Sequence, residues 1–207
     1  NIKEIPEISL NSLTKKLGTD LKDYIVVLKH PLSSVKSEAY EQMKITLEAV
    51  EDFIESNNFK AIGIFPNTDP GSYDILRAIE EKKSNNMLFY KTLERDIFVN
   101  LMRKAKALIG NSSMGILEAP YYRLPVINVG ERQKGRLNAG NVKFVSYVKQ
   151  EIEEALCEAV FDQGYREKVR LLENPFGEGD ADLKILEFLK NVNIQDRSWY
   201  IKRKIFK

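Results

Sequence analysis

Six short apolar runs alternate with helical patterns along the chain, and this alternation constrains the fold more than any other feature. The runs lie at Tyr24–Lys29, Ala61–Phe65, Met87–Tyr90, Ala107–Ile109, Pro125–Val129 and Val142–Val145. Between them, apolar residues recur every three or four positions, as they do from Ala39 to Ile54, which is the period of an amphipathic helix. Strands separated by helices predict a parallel sheet with right-handed crossovers. The sequence therefore predicts an α/β fold with a Rossmann-like sheet flanked by helices.

The predicted strands and helices fall within residues 21–190, which we expect to form one Rossmann-like domain. A chain of 207 residues is long enough to bury one good core. Residues 1–20 show no sustained pattern and are predicted to be a linker or arm. Residues 191–207 carry several basic side chains and are predicted to be a C-terminal tail. The chain begins without methionine, which leads us to expect a fragment of a longer protein.

One window near the middle of the chain, from Gly110 to Arg136, predicts a ligand site. A strand there runs into a turn of Gly, Asn and two serines. A helix follows the turn and carries Glu118 about one turn in. The next strand runs into Arg132, which lies between two glycines. Backbone N–H groups and small hydroxyls at a helix start suit phosphate oxygens. A carboxylate suits a ribose diol, and an arginine suits a diphosphate. The window is thus typical of a site for a phosphorylated, hydroxyl-rich ligand such as a nucleotide sugar.

The candidate site residues at the ends of predicted strands lie where ligands bind in open α/β sheets. They are His30 after the first strand, Asn67 and Asp69 after the second, Thr92 and Leu93 after the third, Asn111, Ser112 and Ser113 after the fourth, and Arg132 after the fifth. Because the carboxyl ends of parallel strands meet at one edge of a sheet, we expect these residues to lie along the same edge.

Several of the candidate site residues also have a simpler interpretation. Ser112 and Ser113 suit a helix N-cap, and Glu118 and Arg132 suit a solvated surface. Asn67 and Asp69 fit a turn that leads into Pro70 and Gly71. His30 is the one histidine of the chain and is a candidate for general acid–base work or a hydrogen bond to phosphate, although single histidines are more often structural.

Composition excludes several function classes. A net charge of +2 is too small to indicate a nucleic-acid partner, and no apolar run reaches the length of a membrane span. The single cysteine, Cys157, is predicted to be a buried small hydrophobe; with no signal peptide in view, it indicates a reducing cytoplasm. No residue spacing supports a metal site, a P-loop, a dinucleotide fingerprint or a Ser/His/Asp triad, so we expect no metal and no cofactor.

Five segments together resemble the hydrolysing UDP-N-acetylglucosamine 2-epimerases. They are His30-Pro31, the run from Phe65 to Ser72, the run Ile109-Gly110-Asn111-Ser112-Ser113-Met114-Gly115 followed by Pro125 to Arg136, and the closing run from Asn174 to Ala181. The resemblance covers about residues 20–190. It implies the C-terminal, UDP-binding half of a GT-B-like fold, with two Rossmann-like domains facing a cleft. The other half of that fold, which supplies acidic residues for the chemistry at C2, is not in this sequence.

The resemblance also implies a reaction. UDP is eliminated from a UDP-2-acetamido sugar after loss of the C2 proton, and water then adds to the glycal to give a free sugar of mannose configuration. His30 would lie near the diphosphate or the departing oxygen and would be the catalytic residue of this half. The implied substrate-binding residues are Ser112, Ser113 and Arg132 for the diphosphate, Glu118 for the ribose, the backbone at Leu93 for the uracil, and Asn67 and Asp69 for the sugar or the domain interface. Gly115 is a further implied residue of the UDP-sugar site.

The implied partners are the UDP-sugar, the missing N-terminal domain and further copies of the chain in a homo-oligomer. The tail would cross toward the missing domain, which would leave Trp199, Tyr200, Ile201 and Phe206 exposed here. N-acetylglucosamine is the default sugar and a 2,4-diacetamido-6-deoxy analogue an alternative, within synthesis of sialic-acid-like sugars. A GT-B glycosyltransferase and a non-catalytic nucleotide-binding module stay open as other functions. We expect the chain alone to bind UDP weakly without turnover.

Overall fold

Six parallel strands form one sheet in the computed structural model, which describes residues 2–177, 179–193 and 195–196. The strands are Tyr24–Leu28 (β1), Lys60–Ile64 (β2), Met87–Tyr90 (β3), Leu108–Gly110 (β4), Val126–Val129 (β5) and Val142–Val145 (β6). Their order across the sheet is β3-β2-β1-β4-β5-β6, and every neighbouring pair is parallel. The predicted α/β fold with a Rossmann-like parallel sheet is confirmed.

Helices follow the strands, as parallel crossovers require. In the described part of the chain they are Leu10–Leu17 (α1), Ala39–Asn57 (α2), Ser72–Lys82 (α3), Arg95–Lys104 (α4), Met114–Leu117 (α5), Lys149–Phe161 (α6), Gln163–Leu171 (α7) and Ala181–Asn191 (α8). Short 3₁₀ segments at Ser33–Glu38, Ala119–Tyr122 and Glu131–Gln133 complete the connections.

Strand β1 lies inside the sheet and sends alternate side chains into two separate cores. Ile25 and Val27 pack with α2, α3 and α6 on one face of the sheet. Tyr24, Val26 and Leu28 pack with α1, α4 and α5 on the other face. Because both faces are covered, all five residues of β1 are buried, and the strand reads as an unbroken apolar run.

The segment expected to be a linker or arm contains helix α1. Ser9 accepts a hydrogen bond from the Ser12 N–H at the start of the helix, and Leu13 and Leu17 are buried in the core. The Asn100 side chain of α4 accepts a hydrogen bond from the Ile8 N–H at 3.0 Å and donates to the Pro6 carbonyl at 3.0 Å. Residues of the 1–20 segment therefore belong to the packed structure, whereas the domain limits at 20 and 190 stay a prediction.

The chain divides by its contacts into residues 1–175 and residues 176–207. The second unit holds helix α8, whose residues are all exposed. Most of the predicted tail 191–207 lies outside the described residues. Trp199, Tyr200, Ile201 and Phe206 are among the residues outside that range.

The prediction for Cys157 was wrong, because its side chain is exposed on α6. Helix α6 buries Ile152, Ala155, Leu156 and Ala159, a stripe at helical spacing that leaves position 157 on the outer side. Among the described residues, every helix is either too short or too polar to cross a bilayer.

Candidate functional site

The candidate site lies where strands β1 and β4 end side by side. From this pair the chain continues toward opposite sides of the sheet, which is the point at which ligands bind in doubly wound folds. Gly110 ends β4 with φ +147°, and a Cβ added there would lie 2.0 Å from the Leu28 carbonyl oxygen. Only glycine allows β4 to approach β1 this closely, so Gly110 lets the next residue reach across to β1.

That next residue, Asn111, joins the loops that follow three strands. Its Oδ1 accepts from the His30 N–H at 2.7 Å, and its Nδ2 donates to the His30 carbonyl at 2.9 Å. Its own carbonyl accepts from Arg132 Nη1 at 3.2 Å and from Gln133 Nε2 at 3.0 Å. Asn111 is 1% exposed and Gln133 2% exposed. These four residues, Asn111, His30, Arg132 and Gln133, are called the Asn111 network below.

The His30 ring is held as a neutral hydrogen-bond donor. Its Nδ1 accepts from the Asn67 N–H at 3.1 Å, so the proton of the neutral ring lies on Nε2. Burial lowers the pKa of His30 to about 4, the charges of Arg132 and Lys29 act in the same direction, and Asp69 opposes them. The ring is therefore uncharged at pH 7 and has an N–H on its free nitrogen.

Asn67 and Asp69 form a turn beside this ring. Asn67 Nδ2 donates to Asp69 Oδ2 at 2.6 Å, and the Asp69 carbonyl accepts from the Ser72 N–H at 3.0 Å, where α3 begins. The turn interpretation is confirmed by these bonds. The same turn also supplies the N–H that orients His30, so these two residues and the ring are neighbours.

The helix after Ser112 and Ser113 is shorter than the sequence suggested. Helix α5 is a single turn, Met114–Leu117, and Glu118 lies just beyond its last residue. A helix of one turn carries only a small dipole. The N–H of Met114 already donates to Ser112 Oγ at 3.4 Å. In the described part of the chain, however, the backbone N–H groups of Ser112 and Ser113 donate to no protein atom.

Gly115 differs from the other predicted site residues because it is buried against β5. A Cβ added there would lie 2.8 Å from Val126 Cγ1, and its carbonyl accepts from Asn141 Nδ2 at 3.2 Å. Close packing of α5 on the sheet therefore accounts for the glycine. A contact between Gly115 and substrate stays a prediction.

Glu118 lies beside Tyr122, and we call these two residues the Glu118 pair. Glu118 Oε2 and Tyr122 Oη are both buried, and neither has a hydrogen-bond partner among the described residues. Burial raises the pKa of Tyr122 to about 12, and the Glu118 carboxylate adds to the rise. Tyr122 and Leu93 pack against the same apolar cluster, which also receives Met114 of α5.

Sequence reasoning missed Lys29, Tyr147 and Gln133. Lys29 follows five apolar residues and directly precedes His30, and that position was the signal that could have marked it. Its side chain is 1% exposed, with Nζ 3.4 Å from Tyr147 Oη. Gln133 is recognisable only once its hydrogen bond to the Asn111 carbonyl is seen. No group of three or more His, Cys, Asp or Glu side chains able to hold a metal occurs in the described ranges.

Comparisons with known proteins identify relatives of this chain. A family model described as UDP-N-acetylglucosamine 2-epimerase matches residues 2–190. A "GDP/UDP-N,N'-diacetylbacillosamine 2-epimerase (hydrolyzing)" from Campylobacter jejuni is 32% identical over 68% of this chain and 37% of its own length. "Polysialic acid biosynthesis protein P7" from Escherichia coli is 28% identical over 91% of this chain and 49% of its own length.

A solved structure gives the same fold. The crystal structure of UDP-GlcNAc 2-epimerase from Neisseria meningitidis bound to UDP-GlcNAc superposes with a TM-score of 0.70 at 22% identity, over 88% of this chain and 49% of that one. At that identity the likeness shows the fold alone. The chain spans about half the length of the relatives that it matches.

Proposed function

Because this chain belongs to the UDP-N-acetylglucosamine 2-epimerase family, we propose that it is the UDP-binding half of a hydrolysing 2-epimerase. The whole enzyme would remove the C2 proton of a UDP-2-acetamido sugar and break the C1–O bond, which gives a glycal and UDP. Water would then add across the glycal to give the free sugar of mannose configuration. The observation that carries the proposal is the Asn111 network, which holds His30 and Arg132 at the switch point of the sheet.

The diphosphate would lie against Ser112, Ser113 and Arg132. The serine N–H groups have no acceptor in the described protein, and the Arg132 side chain is only partly buried, with one guanidinium nitrogen on the Asn111 carbonyl. Negative charge builds up on UDP as the C1–O bond breaks. Preorganised donors aimed at that charge stabilise the transition state more than the ground state.

His30 would act at the departing oxygen or at the phosphate. Its Nε2–H is the donor, since Nδ1 is occupied by the Asn67 N–H. A ring whose pKa lies at about 4 is a poor base for a carbon acid at neutral pH, so its proposed role is donation of a hydrogen bond to the leaving group. Asn67 and Asp69, which form the turn beside it, would face the sugar or the second domain.

The nucleoside would lie toward the Glu118 pair. A carboxylate accepts hydrogen bonds from both hydroxyls of a ribose diol. The backbone at Leu93 would hold the uracil, as the family resemblance implies. A ribose hydroxyl would donate a hydrogen bond to the Glu118 carboxylate, whose Oε2 lies buried without a partner among the described residues.

The base at C2 would come from the half of the protein that the relatives have and this chain does not span. Asp69 is the carboxylate that acts on the pKa of His30, and its Oδ2 already accepts a hydrogen bond from Asn67 Nδ2. We therefore expect the chain alone to bind UDP without turnover. Its proposed partners are the UDP-sugar, the N-terminal domain and further copies of the protein in a homo-oligomer.

The Campylobacter relative is a hydrolysing 2-epimerase, and this supports the hydrolysing subtype for the present chain. Its described substrate is a diacetamido sugar, so a 2,4-diacetamido-6-deoxy analogue is an alternative to N-acetylglucosamine here. The Escherichia relative supports a role in the synthesis of sialic-acid-like sugars. Such synthesis uses soluble nucleotide sugars, and we propose a cytoplasmic location on that ground.

Calorimetric titration with UDP tests whether the chain binds the nucleotide at the proposed site. We expect saturable binding that Arg132→Ala and Ser113→Ala each weaken by about tenfold, or about 1.4 kcal/mol. Arg170→Ala is the matched control, because Arg170 lies exposed on α7 and pairs with Glu167. Equal affinity in all four proteins would place the nucleotide elsewhere and refute the proposed site.

Product analysis on a full-length protein tests the reaction. A hydrolysing epimerase releases a reducing sugar and UDP from UDP-N-acetylglucosamine with no acceptor added. Release that requires an acceptor sugar would identify a glycosyltransferase instead. Binding without turnover in the full-length protein would identify a non-catalytic module.

A further inference from the structure

Lys29 is a buried lysine at the end of strand β1, directly before His30. Its side chain is 1% exposed, and within the described residues its one hydrogen-bonding contact is between Nζ and Tyr147 Oη at 3.4 Å. The ammonium also lies 5.0 Å from the centre of the Tyr147 ring. Among the described residues it forms no ion pair. A buried ammonium that has only a neutral hydroxyl and a ring as partners is costly, because nothing replaces the water it has lost.

The position of Lys29 is behind the proposed diphosphate subsite. Tyr147 Oη packs against Gly130, where an added Cβ would lie 2.3 Å away. Gly130 leads directly into the 3₁₀ turn Glu131–Gln133, which carries Arg132. Lys29 and Tyr147 thus lie beneath the loop that carries Arg132, and Lys29 is also the chain neighbour of His30.

The charges around Lys29 favour loss of its proton in the unliganded chain. Burial lowers the pKa of Lys29 to about 7, and the positive charge of Arg132 contributes. On the neighbouring elements, Glu38 and Glu131 act on Tyr147, and burial raises the pKa of Tyr147 to about 12. Asp69 acts on His30, whose pKa lies at about 4. Of Lys29 and His30, Lys29 is therefore the residue whose charge changes near neutral pH.

We propose that Lys29 is a buried counter-charge of the diphosphate subsite, which gains a proton when the diphosphate binds and balances its charge without touching it. The inference rests on the proposed function, since it needs the diphosphate to lie beside Arg132. A bound anion favours the charged form of a nearby lysine, which is the reverse of the effect of Arg132. UDP binding would then be coupled to uptake of a proton.

The sign of the pH effect follows from that coupling. In the unliganded chain Lys29 loses its charge as the pH rises through about 7, whereas in the complex it keeps the charge to higher pH. Affinity for UDP should therefore fall as the pH rises above 7, by at most tenfold per pH unit for one proton. Above pH 7.5 a terminal phosphate, with a second pKa of about 6, is already ionised.

The test measures UDP affinity and proton uptake by calorimetry from pH 7.5 to 8.5, a range that lies below ionisation of the uracil imide, in two buffers with different ionisation enthalpies. The unmodified chain should take up a fraction of a proton and lose about fivefold in affinity across this range. Lys29→Met, which keeps an unbranched side chain one atom shorter and without charge, should bind UDP about tenfold more weakly at pH 7.5, take up no proton and show a flat profile.

Lys60→Met is the matched control. Lys60 is a partly buried strand lysine whose Nζ donates to a neutral hydroxyl, Thr19 Oγ1, at 2.8 Å, and it begins β2 at the opposite edge of the sheet. This variant should bind UDP with the affinity and the pH profile of the unmodified chain.

Thermal unfolding shows whether Lys29→Met is folded, and loss of an uncompensated buried charge favours that outcome. A Lys29→Met protein with unchanged affinity and pH profile would overturn the inference and leave the proposed function intact. Weaker binding with the proton uptake retained would also overturn it and would assign Lys29 a purely structural role. No UDP binding by the unmodified chain would instead refute the proposed function.

Discussion

The Asn111 network lies where β1, β4 and β5 end, and the Glu118 pair lies between α5 and β5. The two groups differ in whether their buried polar atoms have hydrogen-bond partners. The Asn111 side chain and carbonyl all have partners, on His30, Arg132 and Gln133. In the Glu118 pair, Glu118 Oε2 and Tyr122 Oη are buried without a hydrogen bond in the described chain. The fold itself holds the first group in place, whereas it leaves the burial cost of the second uncompensated.

This difference indicates two ways of building parts of one site. In the proposed site, a fixed network would hold His30 and Arg132 in place before UDP binds, so little ordering would be needed at the bond that breaks. An unpaired carboxylate oxygen lowers stability but leaves an acceptor for a hydroxyl. Substitutions in the network should therefore cost stability, and substitutions in the pair should cost little or gain some.

The largest effect is expected at Gly110, on which the network depends. Gly110→Ala would bring a Cβ to 2.0 Å from the Leu28 carbonyl oxygen, between two backbones that cannot move apart cheaply. We expect a loss of more than about 4 kcal/mol in unfolding free energy, measured by urea denaturation. Gly135→Ala is the control: it has positive φ but open space around its Cβ position, and it should cost about 1 kcal/mol. Equal costs would show that the approach of β4 to β1 does not constrain the chain.

The next largest effect is expected at Asn111. Asn111→Ala leaves the N–H and the carbonyl of His30 without partners, so the unfolding free energy should fall by about 2–4 kcal/mol, and UDP affinity should fall with it. Asn100→Ala removes a similar pair of bonds, to Ile8 and Pro6, away from the site. It should cost comparable stability while UDP affinity, measured by calorimetry, is unchanged. If both variants bind UDP equally well, Asn111 has no role in positioning the site.

A smaller effect concerns pH and His30. The pKa of His30 is about 4 in the folded chain against 6.5 for an ordinary histidine, so the unfolded chain binds the proton more readily. The stability from the neutral ring is complete above pH 6.5 and is lost as the pH falls toward 4, by about 1–2 kcal/mol after solvent screening. The difference between denaturation curves of the unmodified chain and His30→Gln should show this slope between pH 4 and 6.5. Parallel curves would mean that the ring is not held neutral.

The smallest effect is expected in the Glu118 pair. Tyr122→Phe removes a buried hydroxyl that has no partner, so we expect a gain of about 0.5–1 kcal/mol in unfolding free energy. Tyr24→Phe is the matched control, because Tyr24 Oη donates to the Leu101 carbonyl at 2.8 Å and its loss should cost about 1 kcal/mol. A loss of stability in Tyr122→Phe would show that its hydroxyl has a partner and would remove the contrast between the two regions.

Much of the fold could be predicted because local patterns of apolar residues indicate its strands and helices. The apolar runs at Tyr24 and Ala61 and the helical stripe from Ala39 to Ile54 correspond to β1, β2 and α2. Helix α1 was missed because it is only eight residues long. Asn100 binds the Ile8 N–H just before this helix, and the two residues lie 92 positions apart in the sequence. Cys157 was misjudged because the buried stripe of α6 passes beside it and does not include it.

The candidate site could be predicted as a set of positions but not as a set of bonds. Strand ends brought His30, Asn67 and Arg132 to one edge, since parallel strands all end there. The bonds from Asn111 to His30 join residues that are far apart in the chain, and no spacing rule anticipates them. Lys29 was only the last residue of the first predicted run and was given no role, because lysine is seldom buried and its contact with Tyr147 joins distant parts of the chain.

The strand order divides the sequence into two consecutive parts, β1 to β3 and β4 to β6, which meet in the sheet only along the seam where Val26 pairs with Leu108. His30 and Asn67 belong to the first part, and Ser112, Glu118 and Arg132 to the second. A nick in the loop at residues 91–94 would therefore yield two fragments, each with half of the site. Their reassembly should be promoted by UDP, which would make the pair a split reporter for the nucleotide.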